Sequence, residues 1–155
     1  NGRTRWQGFE RAWIDQFEAA GDDAAARDRL AVSLSEAGRY DLALSLIDRS
    51  RRENAVLVYW LLWRAGRQTE AIEHLDRAGA EGSRTTEEVG LLALSLYNGG
   101  DDYAPDPMRA LRYMQKHIQD GNAPAPGTPE SASWQSLLAS VEAAVARERQ
   151  LEGLR

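Results

Sequence analysis

The sequence predicts an all-α fold, an α-solenoid of about eight antiparallel helices stacked as helical hairpins. Three observations point there. Apolar residues recur at helical spacing along nearly the whole chain, and the alternation of a half-buried strand is almost absent. Start signals (Asp or Thr) and stop signals (Gly) come at short intervals, and helices joined by short turns fold back as antiparallel neighbours. One pattern, A-G-R-x-x-x-A-x-x-x-(L/I), occurs twice at an offset of 28 residues: Gly38, Tyr40, Ala43 and Ile47 match Gly66, Gln68, Ala71 and Leu75.

The elements follow in order. Trp6, Phe9, Trp13, Phe17 and Ala20 make one apolar stripe on a first helix that Gly21 ends. Asp22 or Asp23 caps a second helix with Leu30, Leu34 and Ala37 on one face, ended by Gly38. A third spans Tyr40 to Arg52 with Leu42, Leu46 and Ile47 inward. The fourth, Ala55 to Ala65, is apolar nearly all round and should sit centrally. Thr69 to Ala78 is a fifth, ended by Gly79. Thr85 or Thr86 starts a sixth, with Glu88 as capping-box partner for Thr85. Asp106 caps a seventh with Pro107 in its first turn. After the loop Ala123 to Pro129, Thr128 caps an eighth, lined inside by Trp134, Leu138, Val141 and Val145. One helical-repeat domain is expected over 1–155. It comprises an N-terminal helix (1–21), about three repeats (24–121), a loop (122–129) and a C-terminal capping helix (130–152).

The segment from Tyr97 to Gly121 carries the third repeat. Tyr97, Gly100, Asp106, Arg109, Ala110, Tyr113, Lys116 and Gly121 are spaced as in a SEL1-type repeat, the long-looped relative of the tetratricopeptide repeat, and the segment resembles that family. Ala110 follows Ala71 by 39 residues, and the extra length falls in the loop Gly99 to Pro105. The chain departs from the family pattern at Gln68, where an aromatic is usual, at His117, where alanine is, and near Tyr103, the family's glycine-valine. Repeats of this kind build surfaces, because units with one apolar face bury it against their neighbours.

The bulk numbers narrow the function. A chain of 155 residues buries about 68–70% of its unfolded surface in one domain. The net charge of −5 disfavours wholesale binding to nucleic acid or anionic membrane. The absence of cysteine excludes disulfides, thiolate zinc sites and a thiol nucleophile. The longest apolar run, Ala55 to Trp63, falls far short of the ~20 residues of a membrane span. Arginine replaces lysine almost everywhere (Lys116 is the one exception), which suggests a GC-rich bacterial gene. The chain begins at Asn1, so an upstream tag, export signal or domain is expected.

Chemical motifs are few. No nucleophile elbow, phosphate loop or dinucleotide fingerprint is present, and no catalytic residue, cofactor or metal is expected. Glu70, Glu73 and His74 make a partial hydrolase-like cluster better read as a solvated helix face. Asp101, Asp102 and Asp106 lack calcium-loop spacing and read as a charged loop. Arg49, Arg51 and Arg52 read as helix-end cations pairing with Asp48 and Glu53. His117 is expected to pack at a repeat junction.

The resemblance implies that the first helix of each repeat lines a concave face. Alignment on the turn glycines places Asp28, Val32, Ser35 and Glu36 there in repeat one, and Val56, Trp60, Trp63 and Arg64 in repeat two. Glu88, Leu91, Ser95 and Asn98 take those places in repeat three. The expected function is a non-catalytic scaffold or adaptor that holds a peptide or helix of another protein in this groove. Trp60 or Trp63 would anchor it, and Arg64, Glu36 and Glu88 would orient it. The alternative is a structural segment of a longer solenoid or a self-associating module, with a hydrolase third. The resemblance implies an adaptor of the bacterial envelope or of signalling, and an exported protein would fit the start at Asn1, so the envelope or periplasm is favoured over the cytoplasm.

Overall fold

The computed structural model describes residues 23–80 and 82–154. They are all-α, with no strand among the described residues. Seven α-helices are described: α1 (Ala24–Glu36), α2 (Tyr40–Leu46), α3 (Ala55–Arg64), α4 (Gln68–Ala78), α5 (Thr86–Asn98), α6 (Pro107–Gln119) and α7 (Pro129–Gly153). A 3-10 turn, Arg52–Asn54, precedes α3. The expected helix over 1–21 lies outside the described residues. No described helix is long and apolar enough to cross a membrane.

The chain divides into two compact units, Asn1–Ala71 and Ile72–Arg155. Within the first, α1 packs on α2 and α2 on α3. Within the second, α5 packs on α6, α6 on α7, and α5 also touches α7.

Local chemistry sets the helix starts. The Asp23 carboxylate accepts from Ala26 N–H, and Thr85 and Glu88 form a complete capping box. Asp106 accepts from Arg109 N–H, Thr128 accepts from Ser131 N–H, and Pro107 and Pro129 occupy the first turns that follow.

The stops repeat one construction. Gly38, Gly66 and Gly121 have φ of +78°, +82° and +77°, the left-handed region that side chains avoid. Each glycine N–H bonds the carbonyl three residues back, and the next N–H bonds the carbonyl five back (Arg39 to Leu34, Arg67 to Leu62, Asn122 to His117). That double bond is the Schellman helix stop, which pairs carbonyls the helix leaves orphaned.

The same register carries the repeat. Arg39, Arg67 and Asp106 each donate their N–H to a buried leucine carbonyl, of Leu34, Leu62 and Leu96. Each then accepts at its own carbonyl from an alanine N–H four residues on: Ala43, Ala71 and Ala110. All three alanines are 0% exposed. The next residues, Leu44, Ile72 and Leu111, are buried, and so are Ile47, Leu75 and Met114 beyond them. Each fully buried leucine contributes about 1.5–3 kcal/mol. In the third repeat five residues are inserted before Asp106, and the loop ties itself back: Gly100 N–H donates to Tyr103 O, and the Tyr103 hydroxyl donates to Ser95 O at 2.6 Å.

Two expectations need correction. The helix from Tyr40 stops at Leu46, not Arg52, because the Asp48 carboxylate accepts from both Ser50 N–H and Ser50 Oγ. That side-chain turn competes with the helical backbone, and Asn54 Nδ2 braces it by donating to Asp48 O. Arg49, Arg51 and Arg52 therefore do not sit at a helix end, although Arg51 does pair with Glu53 at 2.6 Å. Ala37 is exposed rather than inward, and Ala31 takes its place in the core.

Candidate binding groove

Within the second unit, α5 and α7 flank an open groove of about 1030 Å³. Its apolar surface comes from Leu91, Leu94 and Tyr97 of α5 and Leu137 of α7. Small residues, Gly90, Ser133, Ser136 and Ser140, hold the two walls low and the groove open. Leu94 is 45% exposed, a large apolar side chain left in water at the centre of α5. Two carboxylates, Glu87 and Glu130, mark the end where both helices begin.

A three-residue wall backs the groove. The Thr86 hydroxyl donates to Asn122 O at 3.3 Å, so its oxygen accepts from His117 Nε2 at 3.0 Å. The His117 ring lies 5.5 Å from that of Trp134, which lines the groove. Burial holds His117 below the usual histidine pKa, against the opposing pull of Asp120. The Trp134 indole N–H is buried without an acceptor among the described residues.

In the first unit, α3 leaves Trp60 39% exposed. The Arg64 guanidinium lies 6.0 Å from its ring, and Tyr59 meets it edge-on at 5.2 Å. Tyr59 itself is buried, and it also touches the half-buried Trp63 at 5.7 Å.

Of the twelve residues expected to face a partner, nine have solvent access: Asp28, Val32, Glu36, Val56, Trp60, Trp63, Arg64, Leu91 and Asn98. Ser35, Glu88 and Ser95 are buried and correct the expectation. Ser35 Oγ donates to Val32 O, the Glu88 carboxylate is consumed by the capping box, and Ser95 lies beneath Tyr103.

The error in repeat three is one of register. Asp28, Val32, Ser35 and Glu36 stand ten, six, three and two residues before Gly38. The same steps back from Gly100 reach Gly90, Leu94, Tyr97 and Asn98, and the first three line the groove. The choice of Gly100 follows from the leucine carbonyl four residues before each reference glycine: Leu34, Leu62, Leu96. The position six back is then Val32, Trp60 and Leu94, an exposed large apolar residue in every repeat. The Ser and Ala positions of α7, at helical spacing, were the missed signal for its half of the groove.

Glu70 is paired with Arg67, and Glu73 is exposed. Among the described residues no group of three His, Cys, Asp or Glu side chains is arranged to hold a metal. The chain matches no protein-family model, no curated protein and no solved structure.

Proposed function

We propose that this chain is a non-catalytic interaction scaffold of SEL1-like or tetratricopeptide-like repeats, built as an α-solenoid of antiparallel hairpins. Its groove holds a helix or extended segment of a partner protein. The observation that carries this reading is the open apolar groove between α5 and α7. The thrice-repeated turn and the equivalent exposed positions Val32, Trp60 and Leu94 support it.

The groove chemistry narrows the partner. Leu91, Leu94 and Leu137 ask for apolar anchors, which on a helix recur at i, i+3 or i+4 and i+7. Glu87 and Glu130 ask for a Lys or Arg at one end of the segment. Tyr97, half-buried, adds area together with a polar tip. The exposed Trp60 with Arg64 is a second anchor surface of the kind that dominates interfaces.

Selection of helical peptides from a displayed library tests the proposal, with wild type as bait and Leu94→Glu as counter-bait. The expected winners carry the apolar spacing and a basic end, and they bind the variant about 100-fold more weakly. Circular dichroism should be unchanged, since Leu94 faces water. Peptides that bind both baits equally would remove the groove from the proposal.

A further inference from the structure

A second cavity opens within residues 72–154, and its chemistry is the reverse of the groove's. It is a cleft of about 500 Å³ between the loop after α4 and one face of α6. Four cationic side chains line it: Arg84 from the loop, and Arg109, Arg112 and Lys116 from α6. The last three stand at i, i+3 and i+7, a row about 10 Å long. Like charges at such spacing destabilise a helix. Their concentration here is local, since the whole chain carries −5.

Two carboxylates offset part of this charge. Asp76 pairs with Arg84 at 2.8 Å and with Arg109 at 3.6 Å, and Asp120 pairs with Lys116 at 2.9 Å. Arg112 has no ion-pair partner among the described residues, and it is exposed.

The cleft is rigid on its inner side. The Arg84 guanidinium also donates to Asp76 O at 2.9 Å. The Tyr113 hydroxyl donates to the Asp76 carboxylate. Both Arg84 and Arg109 sit against the Tyr113 ring, at 5.1 and 5.7 Å. Burial and the bond to Asp76 push the Tyr113 pKa up, so the phenol stays neutral. That ring is occupied by guanidinium groups, and Ser83 and Asn122 add polar groups beside the four cations, while Ala80 and Val89 give the lining an apolar part.

We infer that this cleft binds a phosphoryl group carrying at least two negative charges, held by Arg109, Arg112 and Lys116 against the fixed Arg84. Guanidinium forks match phosphate oxygens two at a time, and Lys adds a point charge. The volume falls in the range of about 300–1000 Å³ typical of small-ligand sites. The group can belong to a free phosphorylated small molecule or to a phosphoserine of a partner, and the recognising chemistry is shared.

Calorimetric titration at low ionic strength tests this with inorganic pyrophosphate, a phosphoserine peptide and a glutamate-rich peptide of equal length. One-to-one binding of a phosphoryl probe is expected, weakened about tenfold by Arg112→Ala and by Lys116→Ala and lost in the double variant. Both side chains are exposed, so the helical signal should not change. Arg147→Ala, which removes an exposed cation from α7, should leave affinity unchanged. Tighter pyrophosphate would assign a free ligand, and a tighter phosphoserine peptide would assign a modified partner. The inference is overturned by no binding of either phosphoryl probe. It is overturned equally by the same loss on Arg147→Ala, or by a glutamate peptide that binds as well.

Discussion

The groove and the cleft belong to the same unit and share a wall, yet they present opposite chemistries. The groove offers Leu91, Leu94 and Leu137 with a carboxylate end. The cleft offers a row of cations on α6. Between them stand Thr86, His117 and Trp134, one residue from each of three helices. His117 lines the cleft while Trp134 lines the groove. The difference shows how each surface must derive its affinity. Apolar area contributes about 25 cal/mol per Å² and is little affected by salt. Exposed charges are screened within about 8 Å at physiological ionic strength. Raising salt should therefore abolish cleft binding while groove binding persists.

The wall is where the comparison breaks most easily. His117→Ala removes a buried hydrogen bond and a buried ring contact at once. Each is worth about 0.5–1.5 kcal/mol, and the vacated space adds to the loss. A total of about 2–3 kcal/mol should appear in urea unfolding. Groove and cleft should then lose affinity together. If only one responds, His117 is not a shared support, and the two sites stand on separate frameworks.

The sequence made much of this legible. The capping residues Thr85, Glu88, Asp106 and Thr128 announced their helices because capping is local chemistry. The 28-residue repeat was readable because Gly38 and Gly66 answer the same backbone demand. The cut-off of α2 at Leu46 was not, because Asp48, Ser50 and Asn54 each tolerate a helix alone and break one only together. The third repeat's register slipped by taking Glu88, Leu91 and Ser95 where the count from Gly100 gives Gly90, Leu94 and Tyr97. The basic cleft stayed hidden for a different reason. Arg84 joins the α6 row only through Asp76 and Tyr113, across 37 residues of sequence between those two.

The protonation of His117 sharpens the same comparison more gently. Its folded pKa lies below the unfolded value of 6.5 because burial disfavours the imidazolium. The unfolded chain therefore binds more protons, and stability rises with pH in this range. The contribution is fully present above pH 6.5 and is lost as pH falls through the folded pKa. His117→Gln removes this titration. The stability gap between wild type and His117→Gln should accordingly be smaller at pH 5 than at pH 7.5 in urea titrations. A gap independent of pH would mean that the ring is as solvated in the folded state as in the unfolded chain, and a gap that widens at pH 5 would mean that it is held charged.

Gly79 offers the smallest change and the cleanest separation of the two regions. A Cβ placed on it would stand 2.3 Å from Arg84 Nη1 and 2.8 Å from Arg84 Cγ. In Gly79→Ala the arginine must therefore swing away, which loosens its pairing with Asp76 and its seat against Tyr113. The ion pair is partly buried, with the Arg84 and Asp76 side chains 19% and 34% exposed, and loosening it without removing a partner should lower stability by about 1 kcal/mol. Pyrophosphate affinity should fall several-fold, because the fixed inner side of the cleft has moved. Peptide binding in the groove should not change, since Leu91, Leu94 and Leu137 touch none of these groups. Equal weakening of both would mean that movement of Arg84 reaches α5 through Thr85 and Thr86, and the wall would then be a coupling element rather than a partition.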